Sequence, residues 1–321
     1  MISRSRLYLW LALATIKLTV EENLKGQSSS GLKLKRQSSF CYPSPIQHLP
    51  LPKISFEEYQ NENEWWCDQS DESAWLGFSY DVSDCPSRAQ MAVAFKWMRN
   101  VKKARYVRIY SACDATPFNR DLIEAAAQTG VGVYALIWFG FDGDGKWKAR
   151  KQALLREIKV NQKAPYVIRA VTLGSEPLYD NVLPVNDLIY QLKDLKRQLS
   201  SLSIKVTLSE MPSGYMSHQN TSGIFEAVDF VSLHSFAFFE QSATTAEKVG
   251  PVLERDVHYG LREGKGKKVV ITQTGWPSNM NIWKANSPKA VASIAQEKAY
   301  FSKLNDYCEY FSDRQIGWFS H

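Results

Sequence analysis

Short apolar runs alternate with longer stretches of helical periodicity along the chain from Trp75 onward. Several of the short runs are apolar throughout, which is typical of parallel strands that are covered on both faces. The pattern predicts strands at residues 75–80, 106–110, 131–138, 167–173, 204–208, 228–233, 268–272 and 315–319. Helical periodicity is clearest over residues 89–101, 120–128, 148–159, 185–199 and 290–304.

Strand signals separated by helices predict an α/β fold, a closed (β/α)8 barrel of the TIM type, in preference to an open sheet. We place this barrel over residues 71–321, which matches the length of about 250 residues that is typical of such a barrel. The last strand signal runs into the end of the sequence at His321. Because a barrel normally has a helix after its last strand, we expect that helix to be missing.

The residues before the predicted barrel have a different composition. Arg4 and Arg6 precede an apolar run over residues 7–16, so residues 1–20 are a possible signal or signal-anchor segment, although no clear small-residue cleavage site follows. The run is shorter than the roughly 20 residues of a membrane span, and an irregular N-terminus is the alternative interpretation. Residues 21–70 are predicted to be a flexible leader. We expect a secreted or cell-wall protein, with membrane contact only through an uncleaved anchor.

The composition argues against several classes of function. The net charge of +6 is modest and forms no concentrated basic stripe, so nucleic acid is not an expected partner. The sequence has no Gly-rich phosphate loop, and its five cysteines and five histidines lack the spacing of a metal site. We therefore expect no cofactor and no metal. The pairing of the cysteines stays open.

Candidate functional residues occur where the predicted strands end, which is where (β/α)8 barrels carry their sites. This layer is rich in aromatic side chains, whose faces stack on sugar rings and so favour a carbohydrate ligand. Several members could equally be packing residues of the barrel. The candidates are Tyr80, Tyr110, Glu176, Glu210, His234, Phe239, Gln273, Trp276 and Trp318.

Glu176 directly follows the apolar fourth strand signal. A carboxyl group in a partly dry pocket is expected to have a raised pKa, which a general acid needs near neutral pH. The alternative is a glutamate that only caps the following loop.

The segment from Val269 to Ser278, with its Thr-Gly-Trp-Pro-Ser element, is similar to the signature of family 17 glycoside hydrolases, the β-1,3-glucanases of fungi and plants. Further similar stretches occur in the family's order, at residues 77–80, 107–110 followed by Cys113, 173–176, and 228–231 with Phe238 and Phe239. The resemblance implies a retaining mechanism on β-1,3-glucan, with two carboxyl groups about 5–5.5 Å apart.

The resemblance assigns the acid/base role to Glu176 and places Gln273 at the position of the nucleophile. A carboxamide cannot attack the anomeric carbon, although it can still bind a sugar hydroxyl. Ser175 stands where the family has Asn, and His234 begins a segment that differs from the family's Asn-Ala-His-Pro-Phe-Phe. Cys85 and Cys113 match cysteines of the fungal branch, which implies a bridge between the loops after the first two strands in an exported protein; two reduced thiols are the alternative. Substrate binding is predicted for Tyr80, Tyr110, Ser175, Glu210, His234, Phe239, Trp276 and Trp318.

Three functions follow as hypotheses. The first is a retaining β-1,3-glucan hydrolase or related transglucosylase whose activity is reduced or lost. The second is a non-catalytic glucan-binding protein derived from the same family. The third is a barrel enzyme of different chemistry that uses Glu176 and His234. Within the first, Glu210 could replace the missing carboxylate only if it reached the anomeric centre of the sugar.

Overall fold

The computed structural model describes residues 72–140, 145–202, 204–279 and 284–321. These residues form two compact units. The first comprises 72–235, Glu254–Thr274 and Cys308–His321, and the second comprises Phe236–Leu253 and Gly275–Tyr307. The predictions for residues 1–20 and 21–70 lie outside the described residues. No described helix is long and apolar enough to cross a membrane.

The first unit contains a closed barrel of eight parallel strands in sequential order, with β8 paired to β1. The strands are β1 (Ala74–Asp81), β2 (Tyr106–Tyr110), β3 (Gly132–Ile137), β4 (Ile168–Ser175), β5 (Lys205–Glu210), β6 (Val231–His234), β7 (Val269–Thr274) and β8 (Gly317–Ser320). With helices between the strands, this confirms the predicted (β/α)8 TIM barrel.

The described α-helices connect these strands. They are α1 (Arg88–Asn100), α2 (Phe118–Thr129), α3 (Trp147–Val160), α4 (Ala164–Val167), α5 (Val185–Leu199), α6 (Pro212–Met216), α7 (Ser222–Ala227), α8 (Gly250–Gly264), α9 (Ile294–Asp306) and α10 (Cys308–Asp313). In α1, the Ser87 side chain accepts a hydrogen bond from the N–H of Gln90 and caps the first turn. In α5, Leu188, Leu192, Leu195 and Leu199 are buried at helical spacing, as an amphipathic helix requires.

The predicted elements agree with the structure in order and differ at their ends. The sixth strand was predicted to begin at residue 228, but the N–H of Val228 donates to the carbonyl of Ile224 (3.1 Å), so Val228 belongs to the end of α7. The fourth and fifth strands extend two residues further than predicted, through Ser175 and Glu210. Because Glu176 follows Ser175 directly, this extension places it at the rim of the barrel.

A buried polar cluster closes the amino-terminal end of the barrel. Glu72 precedes β1 and is 2% exposed, and its Oε1 lies 3.0 Å from Nε of Arg169 at the start of β4. The hydroxyl of Tyr106, the first residue of β2, donates to the same carboxylate. This cluster lies at the end opposite to the carboxyl termini of the strands, which carry the candidate site. In barrels of this kind, residues at the amino-terminal end contribute to stability more than to chemistry.

Candidate active site

Glu176 and His234 form the centre of the candidate site. Glu176 follows β4 with a left-handed backbone (φ 59°), and its N–H donates to the carbonyl of Ser209 on β5 (2.8 Å). Nδ1 of the buried His234, the last residue of β6, lies 2.6 Å from Oε1 of Glu176. An ionised carboxylate can only accept hydrogen bonds, so Nδ1 of His234 carries the proton.

Arg108 on β2 supports this pair from inside the barrel. Its Nη2 donates to Oγ of Ser175 (3.1 Å) and lies 3.3 Å from Nε2 of His234, which accepts when Nδ1 carries the proton. Burial lowers the pKa of the Arg108 guanidinium to about 10, so it remains a cation at neutral pH. Burial likewise lowers the pKa of His234, which agrees with a neutral imidazole.

The ionisation of Glu176 differs from the prediction. Burial raises the pKa of this carboxyl, but the hydrogen bond from His234 and the charge of Arg108 outweigh burial and hold the pKa below its usual value of 4.5. The prediction of a raised pKa was therefore wrong for Glu176. The side chain is ionised at neutral pH and is suited to accept a proton or a hydrogen bond rather than to donate a proton.

Replacing His234 by leucine is expected to raise the pKa of Glu176, because burial is then opposed by Arg108 alone. A ligand contact that uses the ionised carboxylate is present above the pKa of Glu176 and is lost as pH falls through it, so His234→Leu should lose such a contact at a higher pH. The carboxyl carbon of Glu176, titrated by NMR in both proteins, measures the shift. His258→Leu, an exposed histidine of α8, is the control. An unchanged Glu176 titration in His234→Leu would contradict the arrangement.

Gln273 lies on β7 next to His234, with which it pairs in the strand register. Its side chain is buried, and its Nε2 donates to Nδ1 of His321 (3.2 Å). The His321 ring in turn packs edge-on against Tyr110, with 4.9 Å between ring centroids. Glu176 and Gln273 therefore lie at the same end of the barrel, both adjacent to His234.

Glu210 ends β5 and is fully buried. Its Oε2 accepts the backbone N–H groups of Leu178 (2.7 Å) and Tyr179 (3.2 Å), and its Oε1 accepts that of Met211 (2.8 Å). Burial raises its pKa to about 8 in spite of these bonds. This geometry leaves no surface of Glu210 for a sugar, so we infer that it positions the loop after Glu176 rather than binding substrate or replacing the nucleophile.

Four of the other predicted substrate-binding residues divide into two groups. Tyr110 and Ser175 are half-buried and belong to the cluster around Glu176. Tyr80 and Trp318 are 7% and 3% exposed and pack against helices, with ring centroids 5.3 Å from Phe95 and 6.4 Å from Phe311. Since little of either ring is accessible, the geometry argues against substrate contact by these two side chains.

Phe239 and Trp276 belong to the second unit. There Nε1 of Trp276 donates to the carbonyl of Val291 (3.0 Å), and its ring centroid lies 5.1 Å from that of Phe238. Phe239 is half-buried. Substrate contact by Phe239 and Trp276 stays a prediction.

A disulfide joins Cys85, after β1, to Cys113, after β2, with 5.0 Å between their Cα atoms. It confirms the bridge that the family resemblance implied. The two loops that it connects follow the strands of Tyr80 and Tyr110, so the bridge fixes part of the rim at the carboxyl end of the barrel.

In this (β/α)8 barrel, acidic and polar side chains converge at the carboxyl ends of the strands, which is where enzymes with this fold carry their active sites. Residues 76–320 match the BtgE/BtgC glycoside hydrolase domain, and the chain belongs to this family. The sequence-based prediction of a glycoside hydrolase family is thus confirmed. The role of Gln273 is not tested by this match and stays a prediction.

Relatives and solved structures are similar to the chain over most of its length. A probable glucan endo-1,3-beta-glucosidase of Aspergillus niger is 24% identical over 280 residues, which are 77% of this chain and 57% of the relative, so the chain spans little more than half the relative's length. A glucan 1,3-beta-glucosidase of Arthroderma benhamiae is 25% identical, over 64% of this chain and 66% of the relative. The glycoside hydrolase family 17 β-1,3-glucanosyltransferase of Rhizomucor miehei has the same fold (TM-score 0.63, 21% identity, 77% of this chain and 86% of that chain).

Proposed function

We propose that the protein recognises β-1,3-glucan at the carboxyl end of its barrel, and that its capacity to hydrolyse this glucan is reduced or lost. Family membership supports a glycoside hydrolase ancestry. The substrate class is supported by relatives named glucan endo-1,3-beta-glucosidase and by an active-site mutant of the Rhizomucor miehei enzyme in complex with laminaritriose. The observation that carries the proposal is the amide of Gln273 at the end where Glu176 supplies a carboxylate.

Reduced turnover follows from the chemistry of these two side chains. A retaining hydrolase needs one carboxylate to attack the anomeric carbon and a second, protonated carboxyl group to release the leaving oxygen. Gln273 has no anionic oxygen, and Glu176 is held ionised by His234 and Arg108. Both roles are therefore impaired. Binding is not, because an ionised carboxylate is a strong acceptor for sugar hydroxyls.

Location in the secretory route or the cell wall is part of the proposal. The Cys85–Cys113 disulfide supports it, since such bridges form and persist mainly in oxidising compartments.

Titration calorimetry of laminaritriose into the native protein and Glu176→Gln tests the proposal. We expect the native protein to bind and Glu176→Gln to bind about tenfold more weakly or worse, because hydrogen bonds to charged groups contribute about 1.5–3 kcal/mol. Glu263→Gln, on the partly exposed Glu263 of α8, should bind like the native protein.

Two results would contradict the proposal. A native protein that binds no β-1,3-linked oligosaccharide lacks the proposed substrate. Hydrolysis at about 10 s⁻¹, the middle of the range for enzymes, would contradict reduced turnover.

A further inference from the structure

The loop after β4 is a compact turn with a fixed tip. The N–H of Asp180 donates to the carbonyl of Glu176 (2.9 Å), and the N–H of Asn181 donates to that of Leu178 (3.0 Å), which places Tyr179 and Asp180 at the tip. Oε2 of Glu210 accepts hydrogen bonds from the N–H groups of Leu178 and Tyr179. The tip is therefore held at the carboxyl end of the barrel, where Glu176 also lies.

A second contact ties the loop to its neighbour after β5. Oδ1 of Asn181 lies 3.0 Å from Nε2 of His218, which follows α6. Met216, at the end of α6, is 65% exposed. Two adjacent loops of the rim are thus joined, and both present large side chains to solvent.

The tip combines an exposed aromatic ring with a carboxylate. Tyr179 is 57% exposed although the residue before it, Leu178, is fully buried. Asp180 is half-buried, and burial together with the negative charge of Glu176 raises its pKa to about 6. Aromatic faces stack on sugar rings and carboxylates accept sugar hydroxyls, so the two neighbours offer complementary contacts to one sugar unit.

Exposure alone does not identify a site. Tyr190 is also exposed (64%), but it lies within helix α5 and not on a loop that follows a strand. Tyr179 differs from Tyr190 because it lies at the carboxyl end of the barrel, three residues after Glu176, on a loop fixed by a buried carboxylate.

We propose that Tyr179 and Asp180 form an additional sugar subsite, which extends the glucan site outward from Glu176. Tyr179 stacks on one face of the sugar, and Asp180 accepts its hydroxyls. This inference rests on the proposed recognition of β-1,3-glucan. Sugar units bound next to Glu176 do not reach the subsite, whereas a longer chain occupies it, so the subsite sets a preference for chain length.

Calorimetry with a series of β-1,3-linked oligosaccharides, from the disaccharide to the hexasaccharide, tests the subsite. We expect the affinity of the native protein to rise with chain length. Tyr179→Ala should bind the hexasaccharide at least tenfold more weakly and the disaccharide within twofold of the native value, and Asp180→Asn should show the same selectivity with a smaller loss. Tyr190→Ala and Asp187→Asn, on α5, are the matched controls and should leave the whole series unchanged.

Each alternative outcome is distinct. If Tyr179→Ala weakens the hexasaccharide no more than Tyr190→Ala does, the subsite is overturned while native binding leaves the proposed function intact. An equal loss at every chain length also overturns it, because the loop then only supports Glu176. A native protein that binds no member of the series overturns the proposed function itself.

Discussion

Replacing Gln273 by glutamate is expected to raise the rate of β-1,3-glucan hydrolysis by about a thousandfold or more, which corresponds to about 4 kcal/mol of transition-state stabilisation. The substitution supplies an anionic oxygen that can attack the anomeric carbon. It also adds a negative charge at the end of the barrel that holds Glu176, and a like charge raises the pKa of a neighbouring carboxyl. One substitution thus repairs the nucleophile and moves Glu176 toward the protonated form that an acid needs.

The gain should depend on Glu176. The double variant Gln273→Glu/Glu176→Gln is expected to lose most of it, and Gln273→Met, which fills similar space without an oxygen, should show none. Reaction with a slow fluorinated glucosyl donor, followed by peptide mass spectrometry, should find a covalent sugar at position 273 only in the glutamate variant. If that variant binds laminaritriose yet stays inert, Gln273 does not occupy the position of the nucleophile.

The pattern of the sequence was sufficient to predict the fold and the layer that carries the site. The carboxyl end of each apolar run marks the region where a parallel strand meets the rim, so Glu176, His234 and Gln273 could all be placed at one end of the barrel. Strand ends were the weak point, as Val228 shows. An apolar residue such as Val228 fits the end of a helix as well as the start of a strand, so hydrophobicity alone does not fix this boundary.

The charge state of Glu176 could not be predicted in the same way. It depends on Arg108 and His234, which lie on β2 and β6 and meet Glu176 only in the closed barrel. Arg108 did leave a signal, since a cation within the otherwise apolar or aromatic strand Tyr-Val-Arg-Ile-Tyr must find a buried partner. Tyr179 and Asp180 left none, because their significance comes from the backbone contacts of Glu210.

Glu72→Gln is expected to lower the free energy of unfolding by about 3–5 kcal/mol, since removing one partner of a buried ion pair leaves the other charge uncompensated. The side chains of Glu72 and Arg169 are 2% and 8% exposed, and Tyr106 donates to the same carboxylate. Glutamine preserves the shape of Glu72, so the loss reports the charge and not a cavity. Urea denaturation followed by circular dichroism measures it.

Glu124→Gln is the matched control for Glu72→Gln, because Glu124 pairs with Lys163 (2.6 Å) where the lysine side chain is 38% exposed. Partly exposed pairs contribute about 1 kcal/mol or less, so Glu124→Gln should unfold nearly as the native protein does. At urea concentrations below its unfolding midpoint, Glu72→Gln should bind laminaritriose with native affinity. Glu72 lies at the amino-terminal end of the barrel, opposite to the candidate site. Equal losses of stability in the two variants would contradict the buried pair, and a loss of binding without unfolding would mean that the two ends of the barrel are coupled.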